Sequence, residues 1–385
     1  MKSFKMIGVW FVALGAFVPG CSSPSWTLEP DAGETRTGLV ALASGQNNPG
    51  AIVSDGANVY WVNQGSPPEY ADGAVMKVSV MGGRTTTLAS GQSLPSAIAV
   101  DATSVYWVAG GPADGAVRKV ALGGGTITIL ASGQAQPTGI AVDATSVYWT
   151  NQYDAVYGGD ATCKNASGKN ADLGGIALGG TVMKVPLAGG PATMLANEQC
   201  SPAGIAVNAA GVYWTNTDDC GSFITAVMPV CPNDPPGTVG NPDLENPGNT
   251  VMSVPLGGGA PTTLASNQNG PWPIAVNASN VYWTSPDNLS LLSVPIAGGT
   301  PSPLVSGQYY PWDVAVDATT AYWVNLDDSH SNGSVMSVPL DGSAPPVTIA
   351  AGQSASHLAV DGAGVYWTNQ GKSAREGTVM KLTPK

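Results

Sequence analysis

From residue 38 onward, apolar residues fall in short runs mixed with polar ones, and the runs stop at Gly, Asn, Asp or Pro. The runs are rich in Val, Ile, Tyr and Trp, a pattern that predicts β-strands joined by tight turns. No stretch after residue 21 sustains the period of a helix. One dipeptide punctuates the pattern, at Tyr60-Trp61, Tyr106-Trp107, Tyr148-Trp149, Tyr213-Trp214, Tyr282-Trp283, Tyr322-Trp323 and Tyr366-Trp367. The spacings of 46, 42, 65, 69, 40 and 44 residues give a period in the low forties, lengthened twice by insertions. Each copy carries four candidate strands. In the second copy they are Ile98 to Asp101, Val105 to Val108, Val117 to Leu122 and Ile127 to Ala131.

Four short strands per unit at this period predict an all-β fold, a seven-bladed β-propeller of four-stranded antiparallel blades. A lone four-stranded sheet with two apolar faces can bury neither. A ring of such sheets buries both, with the large Tyr-Trp pairs filling the gaps between blades. Gly-rich turns such as Gly123-Gly124-Gly125 supply the positive φ that a tight third-to-fourth-strand hairpin needs. Five residues before each Tyr stands Asp55, Asp101, Asp143, Asn208, Asn277, Asp317 or Asp361. Seven such groups suggest a metal ring, but Asp and Asn at turns accept backbone N–H bonds, and capping is the expected role. No metal and no cofactor is therefore expected. Gln46, Gln92, Gln134, Gln199, Gln268, Gln308 and Gln353 also recur with the blades, which fits a structural hydrogen bond better than one active site.

The ends of the repeat region predict how the ring closes. Its first piece, Gly38 to Ala43, is a copy of an outer strand, and its last, Val379 to Leu382, is a copy of a third strand. An N-terminal strand completing the last blade would leave no open edge.

Ile-Ala-Val-Asp followed by Val-Tyr-Trp-Thr-Asn, from Ile140 to Asn151, resembles the YWTD-type propellers of low-density-lipoprotein receptors and related bacterial propellers. The resemblance spans roughly residues 38 to 385. Two departures stand out: that family usually has six blades, and the fourth motif position here is Asn, Ser or Ala rather than Asp. The resemblance implies that Ile-Ala-Val-Asp is the innermost strand and that Tyr-Trp lies on the second. Outer-to-inner and second-to-third loops then share one face. The insertions at 152–180 and 217–250 fall on that face, in blades 3 and 4, as candidate recognition or bracing elements.

Composition narrows the setting. Only 10% of residues are charged, Gly and Pro number 50 and 31, and the net charge is −12. The chain has no basic cluster, so nucleic acid is not an expected partner. Lys2 and Lys5 followed by the apolar run Met6 to Val18 predict an export signal over residues 1–20, too short to span a membrane. Val18-Pro19-Gly20-Cys21 resembles a bacterial lipobox, with Pro19 departing from the usual middle residue. That resemblance implies lipidation at Cys21 and a membrane anchor, and Ser22 implies the outer membrane. Residues 21–36 read as a polar tether and 37–385 as the propeller.

Beyond Cys21, Cys163, Cys200, Cys220 and Cys231 lie in or beside the two insertions. An even count in an exported chain predicts two disulfides, with three possible pairings. Extending the blade-4 hairpin sets Cys200 opposite Cys220 and leaves Cys163 with Cys231.

The approach to the innermost strand is small in most blades, as in Pro95-Ser96-Ala97-Ile98. Blade 5 instead has Trp272, blade 6 has Tyr309, Tyr310, Trp312 and Asp313, and blade 7 has His357. These six residues make a candidate pocket at the channel mouth for a protein, peptide or glycan. The structural alternative is a plug for the channel. Catalytic machinery is sparse: two His, no G-x-S-x-G and no H-E-x-x-H. The expectation is a non-enzymatic binding lipoprotein of the cell envelope. The alternatives are a lyase or hydrolase using Asp313 and His357 at the channel mouth, as in propeller enzymes such as streptogramin lyases, or a scaffold subunit.

Overall fold

Neighbouring side chains on a strand point to opposite faces, so the Tyr and the Trp of one pair serve two different blade interfaces. Tyr60 packs with Val62, Leu88 and blade 2's Trp107, while Trp61 packs with Ile52 and blade 7's Tyr366. The same exchange continues around the chain and yields seven apolar clusters, one between each pair of adjacent blades. All seven Trp side chains of the repeat are fully buried. Burying roughly 150–250 Å² of each at about 25 cal/mol per Å² contributes about 4–6 kcal/mol per Trp before entropy costs.

The computed structural model describes residues 38–110, 115–152, 163–164, 170–171, 180–217, 249–326, 332–371, 373 and 375–384. They form seven four-stranded antiparallel sheets, the seven blades of a β-propeller, and among the described residues there is no helix. Blade 1 runs from the inner strand Pro49–Ser54 through Asn58–Asn63 and Gly73–Ser79 to the outer strand Thr86–Gln92. A two-stranded ladder, Cys163–Lys164 with Asn170–Ala171, lies within the blade-3 insertion. The outer strands reach further than their apolar cores suggest; that of blade 2, Thr128–Gln134, ends on the repeating Gln.

Closure takes the expected form. The N-terminal strand Leu39–Gln46 is the outer strand of blade 7 and pairs with Gly377–Leu382, Leu39 opposite Leu382 and Gln46 opposite Gly377. Across the seam, Thr368 Oγ1 donates to the Gly50 carbonyl at 2.9 Å and Lys381 Nζ to the Val80 carbonyl at 2.8 Å. The Ser54 hydroxyl donates to Asp361.

The repeating polar residues are structural. In every blade the Asp or Asn accepts two backbone N–H groups of its turn, as Asp101 does from Thr103 and Ser104 at 2.7 and 2.8 Å. It also meets the Tyr hydroxyl; Tyr106 Oη donates to Asp101 at 2.8 Å. The repeating Gln lies on or just past the outer strand of one blade, and in six of seven places accepts the indole N–H of the next blade's Trp. Six such latches span 2.8–3.2 Å. The seventh is not made: Trp283 Nε1 has no partner, although Gln268 keeps the amide bond to the carbonyl two residues back, Ser266, that the other six Gln also make.

Antiparallel order fixes the two faces of the ring. Asp-capped turns and Gly-Gly hairpins, with Gly82 and Gly83 at φ 81° and 113°, occupy one face. Outer-to-inner and second-to-third connections occupy the other, where both long insertions depart, after Asn151 and after Asn216.

Candidate functional site

The innermost strands approach one another closely where they begin. A Cβ on Gly139 would come within 2.5 Å of the Ala203 carbonyl oxygen, and one on Gly204 within 2.6 Å of that of Trp272. This position therefore faces the next blade, and Ala51, Ala97, Gly139 and Gly204 keep it small in blades 1 to 4. Blades 5, 6 and 7 place Pro273, Asp313 and His357 there.

Asp313 bridges blades 6 and 7. Its Oδ2 accepts the Leu358 N–H at 2.9 Å and its Oδ1 accepts the Val314 N–H at 2.8 Å. In blades 3, 4, 5 and 7 the Thr after the repeat Trp makes the link, as Thr150, Thr215, Thr284 and Thr368 each donate to a carbonyl of the next blade at 2.7–2.9 Å. Blades 1, 2 and 6 have Val62, Val108 and Val324 at that place, and in blade 6 the carboxylate supplies a bridge of opposite polarity. Burial raises the Asp313 carboxyl, opposed by His357 and the two N–H groups. Burial lowers His357, opposed by Asp313. His357 Nδ1 lies 3.2 Å from Ser356 Oγ. The fold thus brings Asp313 and His357 together, on adjoining inner strands.

The aromatic residues form a ladder above this pair. Trp272 and Trp312 stack with centroids 5.7 Å apart and planes at 21°, and Tyr310 continues the stack at 6.0 Å and 9°. Trp272 is 37% exposed and Tyr310 43%, so the ladder remains open to solvent from blade 5 to blade 6. Beside it, between blades 6 and 7, lies a cavity of about 190 Å³ lined by Tyr310, Trp312, Leu326, Ser354, Ala355, Ser356 and Gln370. Tyr309 is exposed next to the ladder and does not line the cavity.

Four of the six expected residues thus stand in two roles: Tyr310 and Trp312 as cavity wall, Asp313 and His357 as a polar pair at the strand starts. Trp272 extends the wall without lining the cavity. Sequence reasoning missed Ser354, Ser356 and Gln370. Gln370 follows Asn369 just as Gln64 and Gln152 follow Asn63 and Asn151, and so reads as one more repeat residue. The difference lies in partners. Gln64 accepts Asn48 Nδ2 at 2.9 Å and Gln152 donates to Ser201 Oγ at 2.8 Å, whereas the Gln370 amide makes no side-chain hydrogen bond among the described residues.

Cys200 is buried and disulfide-bonded. The side chains of Cys163, Cys220 and Cys231 lie outside the described residues, as do Cys21, the export signal and the tether. The pairing of these cysteines lies outside the described residues; the blade-4 hairpin is described as far as Pro202 opposite Asn216, with a bulge between Pro202 and Ile205.

No protein-family model and no curated protein matches the chain. Solved structures do. A streptogramin B lyase structure aligns over 91% of this chain and 99% of its own, with a TM-score of 0.60 and 12% identity. The computationally designed Ika8 protein aligns over 90% and 99%, with a TM-score of 0.52 and 15% identity. A nidogen/laminin complex covers 65% and 77%, with a TM-score of 0.44 and 15% identity. Identities this low speak to the fold alone. The class is a β-propeller, and function has to be argued from the site.

Proposed function

We propose that the chain is a ligand-binding, YWTD-like propeller lipoprotein of the cell envelope, using the face that carries the aromatic ladder. The observation that supports it is the exposed Tyr310–Trp312–Trp272 stack beside a cavity, in the three blades that depart from the small-residue pattern. Aromatic surface left open next to a few polar groups is what a binding site needs and what a purely structural ring avoids. Screening the full chain against peptide and glycan arrays tests the reading. Binding is expected to drop at least tenfold in the Trp272→Ala/Trp312→Ala double variant; binding that survives it would remove this site. For the anchor, palmitate labelling and membrane fractionation are expected to depend on Cys21 and to be lost in Cys21→Ser.

A second reading, a lyase or hydrolase, draws on the proximity of Asp313 and His357. A burial-lowered imidazole can take up a proton at neutral pH, the task of a general base. Against it, both Asp313 oxygens accept backbone N–H groups. Turnover abolished by His357→Ala in a folded variant would favour the enzyme.

A further inference from the structure

Resting on the reading of this face as a binding surface, we infer that the cavity between blades 6 and 7 takes a neutral sugar residue, a pyranose unit of an oligosaccharide. Three features of the lining point there. The first is the wall: Tyr310 and Trp312, stacked at 6.0 Å and nearly parallel at 9°, both line the cavity with aromatic surface. A pyranose presents a flat C–H face that packs on such a ring, leaving its hydroxyls at the edge to be met by polar groups. The second is the opposite side, where Ser354, Ser356 and Gln370 offer two hydroxyls and an amide. The Ser354 hydroxyl and the Gln370 amide make no side-chain hydrogen bond among the described residues, and Ser356 is already held by Thr368. An amide and a hydroxyl each donate and accept, which suits sugar hydroxyls doing the same.

The third feature is charge and size. The lining holds no Asp, Glu, His, Lys or Arg. Asp313, next to Trp312 in the chain, is occupied by the N–H groups of Val314 and Leu358. Among the described residues that line the cavity, a phosphate or a carboxylate ligand would find no cation, and a lysine side chain no carboxylate. The volume, about 190 Å³, is below the roughly 300–1,000 Å³ of drug-sized sites, so it holds one ring rather than a folded peptide. Trp272, stacked on Trp312 at 5.7 Å and outside the cavity lining, carries the aromatic surface onward for neighbouring residues of the same oligosaccharide.

The test is a titration of the full chain with the neutral oligosaccharides retained on a glycan array, followed by Trp fluorescence. Affinity is expected to fall at least fivefold in Gln370→Ala and at least tenfold in Trp312→Ala, with Trp312→Phe retaining most of it. It is expected to change less than twofold between low and half-molar salt, because no ion pair is involved. Thermal melts of each variant separate lost binding from lost folding; if Trp312→Ala fails to fold, Gln370→Ala and Tyr310→Ala carry the test. Trp312-dependent binding of peptides or charged glycans in place of neutral sugars would overturn this inference and leave the binding face standing. Absence of any Trp312- or Tyr310-dependent ligand would overturn both.

Discussion

Each repeat Tyr points its hydroxyl at the Asp or Asn that caps the turn five residues earlier, and this small unit sets much of the chain's acid–base behaviour. Burial first, then the hydrogen bond and charge of the Asp, raise Tyr106 and Tyr148 to about 12. Their absorbance change on ionisation should therefore appear only around pH 12 in a spectrophotometric titration. The partner acids move the other way. Burial alone would raise Asp101 and Asp143, but the turn N–H groups, the Thr hydroxyl and the Tyr hydroxyl outweigh it and hold both below 3.8. A native value below the unfolded one means the folded state binds fewer protons there, so the stabilisation is present above the ordinary value and lost as pH falls through the native one. Acid unfolding followed by near-ultraviolet circular dichroism should show that loss below about pH 4. Asp101→Ala is expected to cost about 1–3 kcal/mol by orphaning two N–H groups and a phenol. Asp101→Asn should cost less and flatten the acid limb, since blades 4 and 5 already use Asn208 and Asn277. The capping role was legible because Asp and Asn share one geometry at a turn. The phenol contact was not, because nothing in the spacing says where a Tyr hydroxyl ends.

Between blades, the Gln–Trp latch joins one sheet's outer strand to the next sheet's second strand. Gln92→Ala should leave the buried Trp107 N–H without an acceptor and lower stability by about 1–3 kcal/mol in urea unfolding. Gln268→Ala should cost distinctly less, because Trp283 already lacks that bond. Equal losses in the two variants would mean that the latch is not what those glutamines contribute. At this scale the strands and their order were readable, since Tyr-Trp marks each second strand and Gly marks each outer hairpin. Register was not. The bulge between Pro202 and Ile205 is invisible in an alternation pattern, and it shifts the blade-4 hairpin by one residue. Gln370 was hidden for a related reason: it occupies a repeat position, and only the loss of its repeat partner sets it apart.

The ring as a whole depends on one strand arriving from the far end of the chain. Removing residues 38–46 would strip the outer edge of Gly377–Leu382 and the Gln46 latch on Trp61. The truncated chain is expected to run as a broad aggregate in size-exclusion chromatography, because an unpaired blade edge is a template for intermolecular pairing. Blade count and closure could be read from the sequence because they are properties of the repeat. The site could be read only as a list of departures from the repeat, since what those departures touch is decided by blades that are neighbours in space.

The placement of that closing strand also has a mechanical consequence. Leu39 lies level with Leu382 on the face of the Gly-Gly hairpins, and Gln46 lies at the opposite face, where the aromatic ladder is. A pull on the N-terminus against a ligand held on the ladder would run along the strand axis. Its hydrogen bonds to Gly377–Leu382 would then be loaded side by side, in shear, rather than peeled one at a time. A chain tethered through its N-terminus and gripped at its mouth would thus carry tension through the strand that locks the ring, in the direction in which that lock resists most.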